Sequence, residues 1–267
     1  MVIQIILLLV FFAVTVGVGI YFRGRARDVG GFVLGGRSVG PWLTAFAYGT
    51  SYFSAVVFIG YAGQFGWRFG ISAVWIGLAN AFIGSLLAWV VLGRRTRVMT
   101  RHLGSATMPE FFGARYGSKG LKVGASLITF IFLIPYTASL YNGLSRLFAM
   151  AFNIDFTLCI VIMSILTAVY VIAGGYFATA VNDFIQGIIM LGGIVAVVVA
   201  VMRVNGGFTA ALDSLARVSD PLVSDTPGIF ASFFGPDPIN LLGVVILTSL
   251  GTWGLPQMVQ KFYSIES

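Results

Sequence analysis

The chain has 267 residues, of which 58% are hydrophobic and only 9% charged, and its mean hydropathy is +0.96, far from the roughly 25% charged fraction of soluble domains. That composition excludes a soluble enzyme, a nucleic-acid module or a disulfide scaffold, and it leaves no stretch large enough for a separate catalytic domain. The net charge of +7 sits in clusters, so its placement carries more information than its sum.

In chain order, charge-free runs occupy 1–22, 38–67, 69–93, 123–145, 156–182, 184–202 and 238–260. Each is long enough for the roughly 20-residue helix that crosses a hydrocarbon core, so seven membrane spans are expected. The first lacks a positively charged leader and exceeds the usual apolar stretch of a secretion signal, so it reads as a retained helix. Arg23, Arg25, Arg27 and Arg37 follow it; Arg94, Arg95, Arg97, Arg101, Arg115, Lys119 and Lys122 follow the third run. Both loops fall on one side, which the positive-inside rule makes cytoplasmic, and orientation explains them more economically than a lipid or nucleic-acid site. The stretch 203–237 sets Arg203 and Arg217 against Asp213, Asp220, Asp225 and Asp237 and falls outside. The expected topology is a multi-pass protein of the cell membrane with its N-terminus outside and its C-terminus cytoplasmic.

Two runs carry interruptions. The second reads Pro41-Trp-Leu-Thr-Ala-Phe-Ala-Tyr-Gly-Thr-Ser-Tyr-Phe-Ser54, with Gly49, Thr50, Ser51 and Ser54 near its middle, and the seventh sets Gly251, Gly254 and Pro256 close together. Broken membrane helices free backbone carbonyls for a cation and expose half-helix N-termini to an anion. Small-residue helix packing explains either run alone as well. Their separation by five spans fits an inverted repeat: an extra helix over 1–22, a first five-helix repeat over 38–202, and the start of a second over 238–267. The rest of that second repeat is missing from the sequence.

Asp183, after Asn182 and ahead of Phe184-Ile-Gln186, admits two readings, an acidic group on an ion route or a helix cap. Thr107 and Glu110 fit a capping box, with Phe111, Phe112 and Tyr116 giving the short helix an apolar face at the membrane surface. Gly35-Gly-Arg-Ser38 matches neither nucleotide-binding pattern and lacks a preceding strand, so no nucleotide is expected there. Cys159, the single cysteine, reads as a small buried apolar group, and His102, the single histidine, as a surface residue.

Taken together, Gly35-Gly-Arg-Ser-Val-Gly-Pro41, Phe58-Ile-Gly60, Gly70-Ile-Ser-Ala-Val-Trp75, Thr107-Met-Pro-Glu-Phe-Phe112, Ala173-Gly-Gly175 with Asn182, Asp183 and Gln186, and Trp253-Gly-Leu-Pro-Gln-Met-Val-Gln-Lys-Phe262 make the chain resemble the N-terminal half of the sodium:solute symporter family. Gly70-Ile-Ser-x-x-Trp75, the Gly-Arg-Arg-Thr-Arg-Val run from Gly93, and Ala138-Ser with Arg146-Leu-Phe bring it nearest to the sodium/proline branch.

The resemblance implies an all-α, leucine-transporter-like fold of inverted repeats and alternating access coupled to sodium. It puts sodium-site carbonyls at Thr50 and Phe53 and the family's acidic residue at Asp183. Substrate-facing positions fall on Tyr52, Ser54, Tyr136, Trp253, Pro256 and Gln257. The proline branch carries a carboxylate where this chain has Tyr52, which weakens proline as the solute; the sugar branch has an acidic residue near the position of Ile76, which makes sugar a poorer candidate still. The leading expectation is half of a sodium-coupled symporter, not an enzyme, for a small organic solute such as an amino or carboxylic acid. A membrane solute-sensing module and a truncated transporter half without activity of its own are the alternatives. Its other partner is the lipid bilayer, and no nucleic acid is expected.

Overall fold

The computed structural model describes residues 2–53 and 61–266, and their regular structure is helical apart from two isolated β-bridges, Val39 with Ile265 and Asp220 with Ser224. In chain order the α-helices are α1 (Val2–Tyr21), α2 (Val29–Leu34), α3 (Pro41–Tyr52), α4 (Ala62–Phe69), α5 (Val74–Ala79), α6 (Arg94–His102), α7 (Met108–Tyr116), α8 (Lys119–Phe152), α9 (Phe156–Val204), α10 (Phe208–Ala216), α11 (Pro238–Gly251) and α12 (Pro256–Ser264). Between α5 and α6 the helix widens to i→i+5 bonding over Asn80–Leu87 and Trp89–Gly93, a geometry rare in such length.

Among the described residues four helices are long and apolar enough to cross a membrane: Ile5–Arg25, Ala62–His102, Lys119–Phe152 and Phe156–Val204. A fifth appears if Pro238–Gly254 and Pro256–Ser264, interrupted at Leu255, count as one broken span. The chain is a multi-pass membrane protein. Two of the expected runs, 156–182 and 184–202, lie within the 49-residue α9, and its break comes at Gly175 rather than beside Asp183. The cause is steric. Gly175 adopts φ 58° and ψ −158°, a region open in practice to glycine alone, and a Cβ there would come within 3.0 Å of Ala26 Cβ and 3.1 Å of the Phe32 backbone.

The molecule forms two compact units. One comprises Met1–Ile59, Leu92–Gly187 and Pro256–Ser267. Val39, Ala47, Phe177 and Ala180 are its core, with Phe22, Leu43, Tyr176 and Val181 against them. Here α1 lies close on α9: a Cβ on Gly174 would sit 2.9 Å from Gly19 Cα, the close backbone approach that small residues permit between membrane helices. Asn182 Nδ2 donates to Thr15 O across the same seam at 3.2 Å, and Cys159 on α9 is buried.

In this unit the α7 cap forms as the sequence suggests, shifted by one residue. Thr107 Oγ1 accepts from Glu110 N, while Glu110 Oε2 accepts from Ala106 N at 3.0 Å, and Lys122 Nζ stands 3.4 Å from Oε1. The Ala106 N–H, followed by Lys122, holds the Glu110 carboxyl below its ordinary value.

The other unit comprises Gly60–Val91 and Ile188–Leu255, around Phe69, Ile76 and Leu241 with Phe65, Trp75, Val244 and Val245. Gly70, at φ +62°, lies so close to the Phe230 backbone that any side chain would collide with it. Asp237 caps α11 through Asn240 N at 3.2 Å and faces Arg68 Nη2 at 3.3 Å.

Gly175→Ala should lower the melting temperature of the purified protein in detergent, since the backbone strain alone is worth roughly 1–3 kcal/mol. Gly192→Ala, helical with nothing within 4 Å of its would-be Cβ, should leave it unchanged or raise it slightly.

Candidate functional site

Three helices of the first unit meet around one pair of opposite charges. α3 starts at Pro41 after extended Gly40. Its hydroxyls bond back into the helix, Thr50 Oγ1 to Phe46 O at 2.9 Å and Ser51 Oγ to Ala47 O at 2.8 Å, a habit that bends helices. At Phe53 the backbone leaves the α region with φ −82° and ψ 55°, its N–H still donating to Gly49 O. Ser54 lies outside the described residues.

α9 meets α3 just beyond the Gly175 break. The Phe184 ring stands edge-on to Phe46 with centroids 4.7 Å apart. A Cβ on Gly187 would lie 2.5 Å from Phe46 Cδ1 and 3.2 Å from Thr50 Cγ2. Asp183 is four residues before Gly187, on the same helix face and about 6 Å along the axis. Two of the expected cation-site residues, Thr50 and Asp183, therefore share one seam.

α12 supplies the third wall. It begins at Pro256 after extended Leu255 and stacks Phe262 on Tyr48 of α3, centroids 6.1 Å apart. Lys261 Nζ lies 3.6 Å from Asp183 Oδ2, the two side chains 8% and 24% exposed. The ammonium also sits 5.0 Å over the Tyr176 ring, whose hydroxyl accepts from Ser264 Oγ at 2.9 Å. Asp183 is thus inside a helix and paired with a cation, so the helix-cap reading does not describe it. Lys261 was missed in the sequence because a lone lysine near the end of an apolar run reads as a side chain reaching for the membrane surface.

Gln257, the second residue of α12, has both side-chain amide atoms buried with no hydrogen-bond partner among the described residues. A buried amide without partners carries an unrecovered desolvation cost of about 1–3 kcal/mol. Pro256 precedes it at the first helical position, where its missing N–H costs nothing.

The remaining expected residues divide. Tyr52 packs on Tyr48 and Phe53 at ring distances of 6.1 and 6.4 Å, so it stays with the α3 wall. Tyr136 is half-buried on α8, and no hydrogen bond, ion pair or ring contact among the described residues joins it to α3, α9 or α12. Trp253 belongs to the second unit, where its Nε1 donates to Ile83 O at 3.1 Å, a carbonyl of the widened helix.

A second cluster escaped the sequence reading. Arg37 adopts φ 56°, a strained backbone for a non-glycine residue. Its guanidinium reaches Thr100 Oγ1 and O at 3.4 and 3.3 Å, Ser105 O at 2.7 Å and Tyr263 O at 3.3 Å. Beside it Arg97 Nε donates to Ile265 O at 2.7 Å, and Val39 exchanges backbone bonds with Ser264 and Glu266. A planar fork can reach four acceptors at once, and it places positive charge at the carbonyl ends of α6 and α12, where the helix dipole favours it. Burial, then Arg101 and Arg97, lowers the Arg37 pKa. Gly35 and Gly36, both at positive φ, let the chain turn into this position, so the glycine pair noticed in the sequence serves an arginine clamp.

The sequence model of the sodium:solute symporter family matches residues 32–267. Sodium/proline symporters of Staphylococcus aureus strains JH9, JH1 and Mu3 / ATCC 700698 are each 32% identical over 269 residues, covering 98% of this chain and 50% of their own length. The chain spans about half the length of these relatives.

Arg37→Lys keeps the charge and loses the fork. It should cost about 2 kcal/mol, read as a lower melting temperature and faster hydrogen exchange at the Glu266 amide than in the parent.

Proposed function

We propose that this chain, which belongs to the sodium:solute symporter family, provides the cation site and part of the solute site of a sodium-coupled transporter for a small organic solute, such as an amino or carboxylic acid. What carries the reading is Gln257. Among the described residues its buried amide has neither donor nor acceptor satisfied, and native proteins leave such groups unpaired where an unplaced partner completes them. A polar solute arriving at the start of α12 supplies that partner, and Pro256 and Tyr52 are the residues proposed around it, with Ser54, Tyr136 and Trp253 retained from the family pattern.

Sodium, as co-transported substrate, takes hard oxygen ligands. The Thr50 and Phe53 carbonyls and the Asp183 carboxylate are proposed for it, one carboxylate among neutral oxygens suiting a monovalent ion. Because the cation and the solute both engage the walls that meet at α12, each favours the same arrangement of helices, and the sodium gradient then biases the alternation between outward and inward access. The proposed architecture remains the inverted-repeat one: an extra helix, a first repeat over 38–202 and the opening of a second over 238–267. No bond-making chemistry is involved.

Orientation is proposed from charge alone: the arginine-rich loops cytoplasmic, 203–237 outside. Single cysteines at Ser38, Ser118 and Ser224 should then separate under impermeant maleimide added to intact cells, only position 224 reacting. Labelling of position 118 from outside would reverse the arrangement.

The transport reading is tested with the protein as its gene encodes it, reconstituted in liposomes. A panel of radiolabelled amino and carboxylic acids should include one taken up saturably under an inward sodium gradient and not with choline. Gln257→Leu should raise its half-saturation concentration about tenfold, some 1.4 kcal/mol, with sodium half-saturation little changed. Uptake indifferent to sodium would overturn the coupling, and an unaltered Gln257→Leu would overturn the placement of the solute.

A further inference from the structure

We infer that the Lys261 ammonium is a tethered competitor of the transported cation, holding Asp183 while sodium is absent and stepping aside when sodium binds. The inference rests on the proposed sodium site at Asp183 and adds to it the residue that sets how tightly that site holds its ion.

The pair has the geometry of a contact made to be exchanged. Charge-assisted N–H···O contacts settle near 2.7–2.9 Å, whereas Nζ and Oδ2 stand at 3.6 Å. The other oxygen of Asp183 has no hydrogen bond among the described residues, so half of the carboxylate is uncommitted. Exposure is uneven in the useful direction: the lysine is enclosed, and the carboxylate keeps an open side. An ion can therefore approach Asp183 without first crossing Lys261.

The ammonium also has somewhere to go. The Tyr176 ring lies 5.0 Å from Nζ, within cation–π range, and Ser264 holds that ring by its hydroxyl. A four-carbon stem can swing between carboxylate and ring without moving the backbone. A buried carboxylate left bare is costly, so a site that alternates between loaded and empty benefits from a cation of its own. With Lys261 in place, sodium leaves as the ammonium returns, and the carboxylate is never without a positive partner.

The same helix reports the exchange to the solute. Gln257 and Lys261 are four residues apart on α12, on one face. A shift of Lys261 from Asp183 towards Tyr176 changes the load on the turn that carries the unpartnered amide, so cation occupancy and solute affinity are linked through one half-helix of nine residues. Linkage of this kind is reciprocal, so bound solute tightens sodium by the factor with which sodium tightens solute.

The test uses the protein as its gene encodes it, in nanodiscs, and reads equilibrium binding of radioactive sodium by scintillation proximity, independent of transport. Lys261→Met and Lys261→Gln remove the competitor and should bind sodium at least about tenfold more tightly; Lys261→Arg keeps a cation and should stay near the parent. The melting temperature of Lys261→Met should also rise with sodium and not with choline, because sodium now supplies the missing charge. Sodium affinity unchanged or weaker in both neutral variants, with Asp183→Asn binding none, overturns the competitor and leaves the sodium site standing. Parental binding in Asp183→Asn overturns the site itself, and the competitor with it. Should neither neutral variant fold, reductive ¹³C-dimethylation of the parent gives a Lys261 methyl signal, identified by its absence in Lys261→Arg. It should move on adding sodium and stay put with choline; a signal that ignores sodium overturns the inference.

Discussion

A charge inside an apolar helix has to be met by another charge, and in this protein that requirement joins α9 to α12. Asp183 and Lys261 lie far apart in sequence, and Lys261 is enclosed while Asp183 keeps partial exposure. Removing one partner of such a pair typically costs about 3–5 kcal/mol, although the pair as a whole contributes much less. Its effect is therefore on register more than on net stability. Among the described residues Asp183 has one counter-charge in reach, and that fixes the position of α12 along α9. Everything that packs near it, Phe262 on Tyr48 and Ser264 on Tyr176, inherits that register.

α12 is held by apolar and polar contacts together: Met258, Val259, Phe262 and Tyr263 are buried on it, and a set of polar bonds fastens it as well. Gln260 Nε2 reaches Val33 O, Arg37 reaches Tyr263 O, Arg97 reaches Ile265 O, and a short backbone bridge joins Val39 to the residues after the helix. Contacts of this sort can be broken and remade at modest net cost because water or another acceptor replaces them, whereas an interdigitated apolar seam resists sliding. Between α3 and α9 the seam is of the second kind, with Gly187 against Phe46 and Thr50. α12 thus combines buried apolar side chains with bonds that can be exchanged.

Much of this was legible in the sequence, and the misses have physical reasons. Hydropathy located the membrane character, and the capping box at Thr107 and Glu110 formed because its donors and acceptors lie within four residues of each other. The interruption of the second run was visible in its glycine and hydroxyl content, and α3 does end near Tyr52. Gly175 was in view as part of Ala173-Gly-Gly175, yet nothing local says which glycine takes positive φ; that is decided by Ala26 and Phe32 pressing from another segment. Arg37 was counted as an orientation charge. Three of its four acceptors are backbone carbonyls, of Thr100, Ser105 and Tyr263, and carbonyls leave no mark in a sequence.

Asp183 shows most plainly where one-dimensional reading fails. A run of apolar residues is ended at a charge because a charge in hydrocarbon is assumed to be alone, and on that assumption the boundary belongs at Asp183. Paired with Lys261, the same carboxylate continues an unbroken helix through Phe184 and Gly187. The backbone instead breaks eight residues earlier, at the one position where glycine admits ψ near −158°. Break and charge are then separate features with separate purposes. Gly175 re-aims the helix, and beyond it Gly187 lies against Thr50 of α3 and Asp183 beside Lys261 of α12. The proposed cation site depends on a turn that carries no polar side chain at all.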